Sequence, residues 1–335
     1  MANAARLKRA FVACTLGLAA GATPAAEPTV ELPAAVQVQP LAVRDQNPLL
    51  RPFYVPSARL APDEGISYSA ALAWSNTTNL PHTAVEQLYV DAETAEIDLR
   101  ATWRRGAWLA AAELPMLWRG GGILDGVIDD WHAFLGVNRG DRPYVQSNSY
   151  RITYTTLGAA PFSAQRGPAL GDIPVEAGRI LFSAPGTQLS VWAGAKLPTG
   201  SRAHATSNGA LDAAAWLSAG HAFGSRFAMF AQAGVMRPGG SGEFAHVSRE
   251  MGFGTLGVTW KGTDAISAIA QADVHSALPA STLNFLQPAV VGTFGARFRL
   301  APFLALDVGL QEDLATNHSP DATLYFELRH AAGRY

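Results

Sequence analysis

The sequence predicts an all-β chain: a transmembrane antiparallel β-barrel of about 12 strands with one short amphipathic helix in a long loop. Three observations carry this expectation. Apolar and polar residues alternate with period two over several segments, charge is sparse for the length, and connections alternate between tight turns and long loops. Only 16% of the 335 residues are charged while 48% are hydrophobic, against roughly 25% charged in ordinary soluble domains. After the N-terminal leader no run reaches the ~18 apolar residues of a membrane helix, so any crossing falls to strands.

In chain order, Arg6, Lys8 and Arg9 precede the apolar run Ala10 to Ala20 and the small residues Ala20-Gly21-Ala22, which reads as a signal peptide over 1–22. The run is about half of what a membrane anchor needs. Cys14 is the one cysteine and lies in this leader, so a chain cut after Ala22 carries no thiol or disulfide chemistry. That cut removes three of the 25 bases and none of the 27 acids. The remaining acidity excludes nucleic acid as a partner, since binding it requires a basic face. Residues 23–63 form a Pro-rich extension without periodicity, either a periplasmic tail or a plug folded into the lumen. The barrel is expected over 64–330, with a short tail at 331–335.

Within the barrel, Ile66, Tyr68, Ala70, Leu72 and Trp74 alternate against Ser67, Ser69, Ala71 and Ala73. Ala95, Ile97, Leu99, Ala101 and Trp103 alternate more sharply against Glu96, Asp98, Arg100 and Thr102. A soluble sandwich would also alternate, but these strands run to about 10–12 residues, long enough to cross a bilayer at a tilt. Aromatic residues at strand ends (Trp74, Trp103, Trp108, Tyr154, Trp260, Phe326) suit the membrane interfaces. Tight turns fall at Arg104 to Gly106, Ser183 to Gly186, Phe223 to Ser225, Lys261 to Asp264 and Leu300 to Pro302, with longer Gly-, Pro-, Ser- and Asn-rich loops between them. That parity gives 12 strands. It gives 14 if Tyr150 to Thr156 and Gln87 to Val90 are both counted.

The long segment Leu117 to Leu170 holds the helix, Ile123 to Leu135, with Ile123, Leu124, Val127, Ile128, Trp131, Phe134 and Leu135 at helical spacing. It reads as a gate over the barrel mouth or as an interfacial helix, and Gly120-Gly121-Gly122 before it reads as a hinge. On the strands, a charged side chain facing lipid costs about 2–4 kcal/mol at the midplane for Arg or Lys, and acids somewhat less, which fixes the faces. Ile97, Leu99, Leu304, Leu306, Val308, Leu324 and Phe326 are assigned to lipid. The inner face takes Glu96, Asp98, Arg100 and Glu113, then Arg179, Lys196, Asp212 and Asp273, then Arg297, Arg299, Asp307, Glu327 and Arg329. Charges of both signs there mean salt-bridge packing or a permeation path of mixed polarity.

Site chemistry is thin. His204-Ala205-Thr206-Ser207-Asn208-Gly209 is similar to the His-x-Ser-Asn-Gly element of outer-membrane phospholipase, but residues three apart on a strand face opposite ways. The eight histidines are scattered and form no ligand set, and no cofactor motif is present.

Four further motifs occur in order: Gln46-Asn47-Pro48-Leu49, Gly121-Gly122-Ile123-Leu124-Asp125-Gly126, Lys196-Leu197-Pro198-Thr199-Gly200, and Ser207-Asn208-Gly209-Ala210 with Asp212. Together they resemble the Gram-negative family known as domain of unknown function 3187, over roughly residues 40–330. The third motif also looks like an outer-membrane family linked to the phenol-degradation meta-pathway. The resemblance implies an outer-membrane barrel and no established activity. The expectation from all of this is a monomeric passive channel or uptake protein for small molecules, its partners the outer-membrane bilayer and a small permeant. The alternatives are an interaction barrel with a blocked lumen and, last, a lipolytic enzyme using His204 and Ser207.

Overall fold

The computed structural model describes residues 39–136, 141–314 and 317–331. The leader expected at 1–22, the extension up to 38 and residues 332–335 of the tail lie outside the described residues. Strands β1 (Gly65–Asn79), β2 (Glu86–Arg105) and β3 (Trp108–Gly120) come first, followed by helix α1 (Leu124–Leu135) and the short strands β4 (Arg151–Thr156), β5 (Phe162–Ser163) and β6 (Gly167–Leu170). Then run β7 (Ile173–Ala184), β8 (Thr187–Leu197), β9 (Asp212–Phe223), β10 (Phe227–Arg237), β11 (Met251–Lys261) and β12 (Ile266–His275). The chain of strands ends with β13 (Ala289–Ala301), β14 (Leu304–Asp313) and β15 (Ala322–His330).

Neighbours in sequence pair antiparallel from β7 to β15, β15 returns to β1, and β1, β2, β3 and β7 complete the ring. Twelve strands therefore close a barrel with no free edge, which satisfies the backbone groups that lipid cannot. The segments that made 14 conceivable are both extended. Tyr154 and its neighbours in β4 pair with Glu86 to Asp91 at the far end of β2, so they raise the wall locally instead of entering the ring.

Burial alternates along the ring. On β14, Ala305, Asp307, Gly309 and Gln311 are buried while Leu304, Leu306, Val308 and Leu310 are not; on β15, Thr323, Tyr325 and Glu327 are buried while Phe326 and Leu328 are exposed. Ile97 and Leu99 are exposed as well. The outward residues are the apolar ones, the inverse of a soluble sandwich.

Inside, residues 39–63 fold up and back as two legs. Gln39 and Ala61 are joined side by side at the tight-turn rim (Gln39 Nε2 to Ala61 O, 3.3 Å). Ala61 N donates to Gln188 Oε1 at the start of β8 (3.0 Å). The apex is a turn over 47–53, in which Leu50 N and Arg51 N both donate to Asn47 O and Phe53 N donates to Leu50 O. Its Asn47 reaches the β12–β13 loop, Nδ2 donating to Phe285 O at 2.7 Å. Leu49, Leu50 and Phe53 pack there with Phe244, Leu278, Leu283 and Phe285, so the long-loop rim closes over an apolar cluster. Near the other rim Leu41 and Leu60 join Ala71, Ala73, Phe230, Ile269 and Tyr325.

Candidate functional site in the lumen

Of the residues expected inside, Glu96, Glu113, Lys196, Asp212, Arg297, Asp307 and Glu327 are buried, and Asp98, Arg100, Asp273, Arg299 and Arg329 are half-buried. Arg179 is a correction: it is exposed on the outer face, its guanidinium 5.2 Å from the Trp108 ring. β7 carries Glu176 and Arg179 at opposite parity, so one of them must point outward. Glu176 takes the lumen, where it has partners. Arg179 pairs in register with Trp108, the first residue of β3, near the tight-turn rim, where a long cationic stem can reach polar headgroups.

Two kinds of charge cluster line the lumen. On β13–β15 the wall neutralises itself: Arg297 grips Asp307 through Nε and Nη2, both at 2.7 Å, and Arg329 meets Asp307 at 2.8 Å and Glu327 at 2.6 Å. A bidentate guanidinium–carboxylate pair is the geometry that best offsets desolvation.

On β2, β3 and β7 the partners come from the inner segment. Arg44 contacts Glu96 at 3.0 Å, Glu113 at 2.9 Å and Asp98 at 3.8 Å, and Arg51 pairs with Glu96. Arg59 pairs with Glu176, which also accepts from the Tyr54 hydroxyl at 2.7 Å. Arg100 bonds Glu113 and donates to Ser57 Oγ at 2.8 Å.

The motifs that carried the resemblance fasten the apex. Lys196 Nζ binds Asp172, sits 3.2 Å from Asp212, and donates to Asn208 Oδ1 at 2.8 Å and Pro52 O at 2.6 Å. Tyr54 N donates to Asp212 Oδ2 at 3.1 Å. Asp45 joins His275 at 2.9 Å and Ser319 at 2.6 Å. Polar wall residues also hold the legs, Gln271 bonding both N and O of Leu41 at 3.0 Å.

Around the Gly121-Gly122 motif, Glu93 Oε2 accepts from Ile123 N and Leu124 N at 2.7 Å each, satisfying the first donors of α1. Gly122 has φ +67°, and a Cβ there would run into the Glu93 carboxylate, so this last glycine of the run is a tight seat for that carboxylate. Asp125 accepts from Asn76 at 2.9 Å and Arg142 at 3.2 Å. Leu124 and Ile128 are buried while Ile123 and Phe134 are exposed; the side chains of Val127, Trp131 and Leu135 lie outside the described residues.

His204 Nδ1 lies 3.1 Å from Ser201 Oγ, whereas the buried Ser207 accepts from Gly209 N, so the sequence pair is given different partners. Among the described residues no group of three His, Cys, Asp or Glu side chains forms a metal-ligand set.

Sequence reasoning missed Glu176, Asp172 and the three arginines of the inner segment. The signal was present: Arg44, Arg51 and Arg59 are spaced seven and eight apart in a stretch with few acids, complementary to an acid-rich wall.

The fold is similar to that of a COG4313 outer membrane channel from Pseudomonas putida F1, across 85% of this chain and 98% of that one, with 11% identity and a TM-score of 0.52. More distant likenesses are the NanC porin (80% and 98% covered, 7% identity, TM-score 0.43) and the Pseudomonas putida toluene transporter TodX (87% and 98% covered, 10% identity, TM-score 0.39). No curated protein matches in sequence. A family match runs over residues 20–331, taking in all four motifs, and the chain belongs to the family described as Protein of unknown function (DUF3187).

Proposed function

We propose that this protein is an outer-membrane channel for the passive uptake of small molecules, and that residues 39–63 form its plug. One observation carries the reading: the acids of the β2–β3–β7 wall pair with a segment of chain that forms no strand of the ring, and the ring closes without it. Displacing the segment exchanges side-chain contacts for water and breaks no ladder bond. The competing reading, a barrel whose lumen stays blocked, draws on the space left inside. The cavity between the inner segment and β11–β13, bordered by Val43, Leu50, Phe253 and Val291, is about 40 Å³, enough for a water molecule or so.

Planar-bilayer conductance of the full chain separates the two. The wild type should conduct rarely, and Arg44→Gln/Arg51→Gln/Arg59→Gln should conduct often, with folding checked by heat-modifiable gel migration. A folded triple variant as silent as the wild type would establish the blocked barrel instead.

A further inference from the structure

The lumen is electrostatically lopsided. The β13–β15 wall sets Arg297 and Arg329 against Asp307 and Glu327, two cations for two acids from the wall's own strands. The middle of the β2–β3–β7 wall sets Glu96, Asp98, Glu113 and Glu176 against Arg100 alone, a single wall cation for four carboxylates. Farther toward the long-loop rim the same side carries the buried Arg119 of β3, which donates to His204 O and Ala205 O, and the Lys196 cluster, where Asp172 and Asp212 outnumber the lysine.

Guanidinium groups on the inner segment make up the difference. With them seated the count is even, four guanidinium groups to four carboxylates, so the wall is acidic only where the segment leaves it. Glu96 is fully buried, yet its Oε2 has no hydrogen bond among the described residues, nor does Asp98 Oδ1, whose contact with Arg44 is 3.8 Å. A buried carboxylate oxygen left without a donor is costly.

From this we infer that the β2–β3–β7 face is a binding site for a cationic permeant bearing a guanidinium or ammonium group, and that Arg44, Arg51 and Arg59 occupy it as tethered competitors. The inference rests on the channel reading and adds the class of permeant to it. Carboxylate rings select cations by replacing the water around them and by repelling anions. Here the carboxylates lie on adjacent strands: Arg100 is opposite Glu113 in the β2–β3 register and Glu176 is opposite Ala111 in the β3–β7 register. A permeant displacing the arginines therefore meets a continuous acidic face. Release of the plug and recognition of the permeant are one exchange reaction at the same carboxylates.

The test uses the full chain in planar bilayers. In a KCl gradient, Arg44→Gln/Arg51→Gln/Arg59→Gln should show a reversal potential on the potassium side, with potassium several-fold more permeant than chloride. Adding Glu96→Gln and Glu113→Gln should bring that ratio down towards one while conduction persists. In the wild type, low concentrations of guanidinium chloride should raise open probability above that in sodium chloride of equal ionic strength. Conduction without cation preference, or with chloride preferred, overturns this inference and leaves the channel standing. Silence of every folded variant overturns the channel reading and this inference with it.

Discussion

Leu99 and Arg100 are neighbours that the pleat sends to opposite environments, Leu99 exposed on the lipid side and Arg100 bonded to Glu113 within. Leu99→Arg places a charge in hydrocarbon at a cost of about 2–4 kcal/mol at the midplane and should impair assembly, whereas Arg100→Leu should leave a folded barrel, because Arg44 still covers Glu113. Heat-modifiable gel migration of the two variants reads this, and the opposite outcome would invert the face assignment. Gly194 offers a test that touches no charge. A Cβ at this position of β8 would collide with the Tyr54 hydroxyl and crowd Glu176. Gly194→Leu should therefore unseat Tyr54 and raise conductance without altering the charge of the lumen; unchanged conductance of the folded variant would mean that Tyr54 is not part of the latch.

At the level of elements, α1 is capped by a strand: its first donors are taken by a residue of β2. Glu93 receives Ile123 N and Leu124 N on one oxygen and the Trp74 indole on the other at 2.7 Å. Removing a helix cap costs ~0.5–2 kcal/mol, so Glu93→Ala should speed protease cleavage in the loop between β3 and β4 more than elsewhere. Equal cleavage rates would show the helix to be secured by Leu124 and Ile128 alone. Asp321, just before β15, gives this rim a pH response. Burial pushes its carboxyl up from 3.8 to about 6, against the pull of Arg142 3.0 Å away. Because the folded value is the higher one, the docked rim takes up a proton more readily than the undocked rim between about pH 6 and pH 4. Docking should therefore tighten as pH falls through that window and weaken as it rises. Asp321→Asn should flatten the dependence of proteolysis on pH.

For the whole molecule, closure and filling are separable. The ladders from β1 round to β15 satisfy one another without residues 39–63, so the triple arginine variant should keep its heat-modifiable migration while melting at a lower temperature than the wild type. Loss of the folded band would mean that the inner segment is needed to assemble the ring. Burial of ion pairs argues for the first outcome. Removing one partner of such a pair leaves the other charge uncompensated and destabilises, which lowers the melting temperature, but the ladder bonds that hold the ring are untouched.

The faces of β2, β14 and β15 and the number 12 were legible because a strand in lipid has one tolerable orientation and loop parity must return the chain to its starting rim. The same logic failed at Arg179, where β7 carries charges of both parities and only the lumen partners Arg59 and Tyr54 decide that Glu176 points inward. Residues 39–63 were undecidable from the chain alone, since an irregular Pro-rich stretch has no period to betray its surroundings. Its hydrogen bonds run to residues such as Gln232 and Gln271, more than 170 positions away. Period two is a local property and is written in the sequence. What fills the lumen depends on which distant carboxylates the closed ring brings within reach of three arginines, and that exists only once the barrel has formed.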